Sequence, residues 1–160
     1  MTTIKDFEHT LRTAELPLPN GHAVTARELV YADDRAIEDA HPKPLAPMVR
    51  NANAGSNAPK VADAGDPGFV LAHAEWFDRL EIMRLAVAID YRPEGRGPWD
   101  RLAGREDRAA WLHAAVDELG GRLSMADIDR MRNGMANIGR DALEDTGLGN
   151  SGAGSSPADG

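Results

Sequence analysis

The side chains best suited to acid–base or metal chemistry are five histidines, His9, His22, His41, His73 and His113, and they are scattered. None lies three or four residues from another, so no helix presents two of them on one face as a zinc site would need. His73 falls on the apolar stripe of a predicted helix, where a packed and hydrogen-bonded imidazole accounts for it. The chain has no cysteine. That removes thiolate ligands, thiol catalysis and disulfides together, and suits a reducing compartment. The clustered serines, Ser151 and Ser155-Ser156, stand among glycines near the C-terminus, without the rigid oxyanion surroundings a nucleophilic serine requires. Gly95-Arg96-Gly97 and Gly147-Leu148-Gly149 lack the strand-to-helix setting and the Lys-Ser/Thr of a phosphate loop. The acidic pairs Asp33-Asp34 and Glu106-Asp107 sit in the first turns of predicted helices, where negative charge complements the dipole. The expectation is a non-enzymatic protein without metal or cofactor.

Charge narrows the partners further. Acids outnumber bases 26 to 18, a net charge of −8, which repels a nucleic-acid backbone unless the bases gather into a patch. They do not gather: Arg92, Arg96, Arg101, Arg105 and Arg108 alternate with Glu94, Asp100, Glu106 and Asp107. The start, Met1-Thr2-Thr3-Ile4-Lys5-Asp6, lacks the basic and apolar runs of a signal peptide. No stretch approaches the roughly 20 apolar residues of a membrane span. A cytoplasmic protein that binds neither nucleic acid nor membrane is expected.

The elements that would position any site are mostly helical. Asn20-Gly21, between Leu16-Pro17-Leu18-Pro19 and a strand from about His22 to Val30, suits the tight turn of a hairpin. Pro17 and Pro19 mark its incoming strand as an edge. A short helix over about 32–40 ends before Pro42, and Pro42, Pro44 and Pro47 make an extended spacer. Small and polar residues over 51–65 read as a flexible loop. Asp66 caps, and Pro67 opens, a long helix to about Tyr91. On it Phe69, His73, Trp76, Leu80, Met83 and Val87 recur on one face, and from Ile82 to Ile89 it is apolar nearly all round, so it must be covered.

A further helix over about 105–119 turns Trp111, Leu112, Ala115, Val116 and Leu119 inward and ends at a left-handed Gly120-Gly121 stop. Ser124 and Asp127 have capping-box spacing for a fourth helix, with Ile128, Met131, Met135 and Ile138 on its apolar face. It fades after about Leu143. The Gly- and Ser-rich segment 147–160 reads as disordered. The expected class is mainly α with a small N-terminal β-hairpin (α+β): a bundle of about three helices plus one short helix. The expected divisions are 1–50 (hairpin, short helix and spacer), 51–65 (loop), 66–146 (helical domain) and 147–160 (tail). Methionines Met83, Met125, Met131 and Met135 fill core gaps or make an adaptable groove.

Several short motifs appear in a familiar order. Leu18-Pro19-Asn20-Gly21 precedes Leu29-Val30-Tyr31-Ala32-Asp33-Asp34, then Pro42-Lys43-Pro44-Leu45-Ala46-Pro47, then Asp66-Pro67-Gly68-Phe69 and a helix carrying Trp76 and Arg79. This order resembles the tail assembly chaperones of long-tailed bacteriophages and prophages, over roughly 16–138. The resemblance implies a protein of the host cytoplasm that coats the tape measure protein, keeps it soluble and helps recruit tail tube subunits. It carries no catalytic residue across. The expected partner surface is the long helix, through Phe69, Trp76, Phe77, Leu80, Met83 and Val87, with self-association as a further possibility. Two other readings stand beside it. One is a structural virion component, a head–tail connector or minor tail protein. The other is a small-molecule binder or enzyme with a polar pocket holding His73, Trp76 or Trp111.

Overall fold

The computed structural model describes residues 11–51 and 53–145. Along them run β1 (Thr13–Pro17), β2 (Ala23–Arg27), α1 (Tyr31–Ala40), β3 (Met48–Val49), β4 (Val61–Ala62), α2 (Pro67–Ala88), α3 (Arg105–Gly120) and α4 (Met125–Asp145). This is the expected α+β class, mainly helical with an N-terminal hairpin. The expected tail over 147–160 lies outside the described residues, as does His9. Two compact units divide the chain: one holds β1, β2 and α4, and the other, Leu29–Arg122, holds α1, α2, α3 and the β3–β4 ribbon. The division expected at 51–65 is therefore corrected. Small, polar composition marks where the chain loops out, and packing separates the units elsewhere.

In the first unit β1 pairs antiparallel with β2, Leu16 opposite Val24 and Pro17 opposite Ala23. The alternation of the strands buries Leu16 and Ala26 on one face, and α4 packs on β1. Among the described residues of α4, Ile128, Met131 and Ile138 are buried, while Met135 is half-buried. The turn is longer than the expected Asn-Gly pair. Leu18 N–H donates to His22 O at 2.7 Å and Gly21 N–H to Leu18 O at 3.2 Å, enclosing Pro19, Asn20 and Gly21. Gly21 alone of the three has positive φ, +79°, the usual requirement of a three-residue hairpin loop. Strand β2 ends at Arg27 and not at Val30, because Val30 already precedes α1 as its N-cap.

The capping box forms as expected. Ser124 N–H donates to Asp127 Oδ2 at 3.1 Å and Asp127 N–H donates to Ser124 Oγ at 3.2 Å. The hydrogen bonds from the Ser124 side chain and backbone hold the Asp127 carboxyl below its ordinary pKa.

In the second unit α1 and α3 both pack on α2 and on each other. The inner face of α3 is the expected Trp111, Leu112, Ala115, Val116 and Leu119, and α1 adds Ala36, Ile37 and Ala40. Each fully buried Leu or Met side chain contributes about 1.5–3 kcal/mol. Leu85, Ala86, Val87 and Ala88 are buried in succession, which explains why that stretch is apolar all round. Asp66 caps α2 through its side chain, accepting from Phe69 N–H at 2.9 Å. The helix closes before the expected Tyr91. Asp90 takes a left-handed φ of 54°, Tyr91 N–H donates to Ala86 O and Asp90 N–H to Val87 O, the pairing of a Schellman cap.

Arg84 fastens α2 to α1. Its guanidinium grips Asp34 with two bonds, 2.7 and 3.2 Å, and also reaches Glu38 at 3.2 Å and Glu81 at 2.9 Å. Burial alone lowers its pKa, but the Asp34 and Glu81 hydrogen bonds outweigh that and the net shift is upward. Asp34 thus does more than complement a dipole.

Two further expectations are corrected. Gly120-Gly121 is not a left-handed stop: Gly121 has φ −79° and donates to Asp117 O at 3.1 Å, so α3 ends in an ordinary right-handed turn. The segment 51–65 is not wholly irregular either. β3 and β4 pair antiparallel, Met48 with Ala62 and Val49 with Val61, and Asp63 N–H donates to Pro47 O at 2.9 Å. Strands of two residues leave no periodicity to read.

Candidate protein-binding surface

Helix α2 changes character along its length. From Leu80 onward it belongs to the core, but from Pro67 to Arg79 only Phe69, His73, Trp76 and Arg79 are partly covered. Spacings of four, three and three place these four on one narrow face. The remaining faces carry large apolar side chains in the open: Val70 is 53% exposed, Leu71 71% and Phe77 43%. The expected partner residues therefore separate. Leu80, Met83 and Val87 are buried and are corrected to core, because α1 and α3 cover that end of the helix. Phe69 and Trp76 are half-buried, and Phe77 is exposed. Val70 and Leu71 lie off the repeating stripe that periodicity picks out, and no element among the described residues covers them.

The covered face is held by a contact that joins distant parts of the chain. His41, at the end of α1, stacks on Trp76 with centroids 5.9 Å apart and planes inclined by 10°. Trp76 Nε1–H donates to His41 O at 2.9 Å, and His41 Nε2 lies 3.1 Å from Trp76 O. A carbonyl only accepts, so the imidazole donates from Nε2. Burial lowers the His41 pKa; the bond to the Trp76 carbonyl opposes this, and His113 and Arg79 lower it further. His113 meets the His41 ring edge-on at 6.3 Å, and Lys43 Nζ stands 5.8 Å from the Trp76 ring centroid. His73, half-buried between Phe69 and Trp76 at 5.7 and 5.4 Å, is the packed histidine its stripe position implied.

A second feature is a cleft of about 270 Å³ lined by Trp99, Trp111, Arg108 and the 95–100 loop. It contains Trp111 but neither His73 nor Trp76. Both indole N–H groups are committed to the protein, Trp99 to Asp33 at 3.0 Å and Trp111 to Gly97 O at 3.0 Å. Arg108 is engaged through Nη1 with Arg101 O at 3.0 Å and through Nη2 with Asp39 at 2.6 Å, while its buried Nε has no partner among the described residues. The arrangement clamps the loop between α2 and α3 onto α1 and α3.

Among the described residues no group of three or more His, Cys, Asp or Glu could hold a metal ion, and no helix is long and apolar enough to cross a membrane. Comparison of the chain with protein-family models, with curated proteins and with solved structures returned no match.

Proposed function

We propose that this chain is a non-catalytic assembly chaperone of a long-tailed bacteriophage or prophage. In the host cytoplasm it holds the tape measure protein in soluble form and helps recruit tail tube subunits. The observation that carries this reading is the exposed apolar surface of Val70, Leu71 and Phe77 on a helix whose other end is locked into a core. A partner helix can lay apolar side chains against such a surface, while the net charge of −8 keeps the free protein soluble. The order of motifs around Asp66-Pro67-Gly68-Phe69 supplies the particular partner.

Co-expression tests the proposal. With this chain present, the tape measure protein is expected in the soluble fraction and recoverable as a complex. Equal aggregation with and without it overturns the reading. The second reading, a head–tail connector or minor tail protein, draws on the β1–β2 ribbon, whose outer edges have no strand partner among the described residues. Stoichiometric recovery of the chain in purified virions would favour that reading over the chaperone.

A further inference from the structure

Around Trp76 the second unit collects cationic and protonatable side chains that are far apart in sequence. His41 stacks on the indole, Lys43 stands over it, and His113 meets the edge of His41. Arg79 follows Trp76 by three positions on the same face of α2 and pairs with Asp117, one turn beyond His113 on α3. They come from the end of α1, the proline-rich spacer, α3 and α2. Two other arginines of this unit are gripped at close range, Arg84 by Asp34 at 2.7 Å and Arg108 by Asp39 at 2.6 Å, while Arg101 stands 3.9 Å from Asp33. Here the ion pairing among the described residues is Arg79 with Asp117, at a loose 3.8 Å. Asp117 is itself 73% exposed, so an incoming acid can replace it at little cost. Lys43 and His113 are exposed, and the remaining members are half-buried.

We infer that the cluster of His41, Lys43, Trp76, Arg79 and His113 is a carboxylate-binding site that receives an acidic side chain of the held polypeptide. The inference rests on the polypeptide-holding reading above and deepens it by stating what the partner segment must carry. Arg79 and Lys43 supply charge-assisted donors. The indole, already stacked against His41, gives the site an apolar wall beside them. Val70, Leu71 and Phe77, on other faces of the same helical half, offer apolar contact. The matching segment is therefore amphipathic, with acidic residues interleaved among apolar ones.

A nucleic acid fits less well. It brings a charge with every nucleotide toward a chain of net charge −8, whereas a peptide places one or two carboxylates among neutral groups. Of the acidic residues of α2 near the cluster, Asp78 lies on the far side of the helix from Trp76, and the exposed Glu75, one turn before Arg79, forms no ion pair with it among the described residues.

The test uses the full-length chain and fluorescein-labelled peptides of about 16 residues, long enough for four helical turns. One has leucines at helical spacing with Glu between them; a second has Gln in place of every Glu. Anisotropy titrations at neutral pH and about 0.1 M salt, where exposed charges are partly screened, are expected to show the Glu peptide binding about tenfold more tightly or better. The double variant Lys43→Gln/Arg79→Gln, checked for an unchanged circular dichroism spectrum, is expected to abolish that difference. Equal binding of the two peptides by the wild type overturns the acid site while sparing the holding reading. Failure to bind either peptide counts against both. Tighter binding of a labelled single-stranded oligonucleotide of equal length would instead identify the cluster as a phosphate contact.

Discussion

Replacing Asp33 by Ala is expected to cost about 2–4 kcal/mol of folding stability, a large effect for one residue near a helix end. Asp33 is 4% exposed. Its Oδ1 accepts the Trp99 indole N–H at 3.0 Å and lies 3.9 Å from the Arg101 guanidinium. Removing the carboxylate strips the Trp99 donor of its acceptor and frees the loop that carries Trp99 and Arg101. Asp33→Asn keeps an acceptor and should lose only about half as much, since a neutral acceptor is roughly half as strong. Urea denaturation followed by circular dichroism measures both, and tryptophan emission of the Ala variant should shift to the red. A loss below about 0.5 kcal/mol in Asp33→Ala, the range of an ordinary surface change, would mean that Asp33 only complements the dipole of α1.

Gly134→Ala is expected to destabilise the other unit by about 1–2 kcal/mol, against the direction of helix propensity. Within a helix Ala is favoured over Gly by about 1 kcal/mol, so a glycine inside α4 needs a reason. Here a Cβ would overlap Leu16 Cδ2. Leu16 is 1% exposed, so its methyl can yield only by displacing the packed side chains around it. The close approach of β1 to α4 depends on that missing methyl. The double variant separates the two terms: in a Leu16→Ala background, Gly134→Ala should become stabilising by about 0.5–1 kcal/mol. A Gly134→Ala variant that is more stable in the wild-type background would refute the packing account.

What could be read from sequence follows from what is local. The start of α2 was legible because Asp66 and Pro67 are adjacent and act on the same turn. The Ser124–Asp127 box and the buried face of α3 were legible for the same reason. The longer hairpin loop and the right-handed end of α3 were missed because Asn-Gly and Gly-Gly permit several conformations and tertiary contacts choose one. Asp33 stands in the first turn of α1 as its position implies, but its burial is not legible there. Its burial depends on Trp99, separated from it by 66 positions, and no pattern within α1 records that partner.

The candidate surface divides along the same line. A stripe of spacing found Phe69, Trp76, Leu80, Met83 and Val87 together, yet spacing does not say where a neighbour stops covering the stripe. α1 and α3 cover it from Leu80 onward and leave the earlier turns open on most sides. His41, Lys43 and His113 were invisible as a group, because the end of a helix, a proline-rich spacer and an outer helix face meet only in the folded chain.

The central claim is that the open half of α2 holds a partner polypeptide. The most direct measurement is co-expression of the tape measure protein with the Leu71→Asp/Phe77→Asp variant. Both side chains are exposed, so thermal unfolding of the variant alone should match the wild type within about 0.5 kcal/mol. The account predicts that this folded variant leaves the tape measure protein in the insoluble fraction. A soluble yield equal to that obtained with the wild-type chain would contradict it.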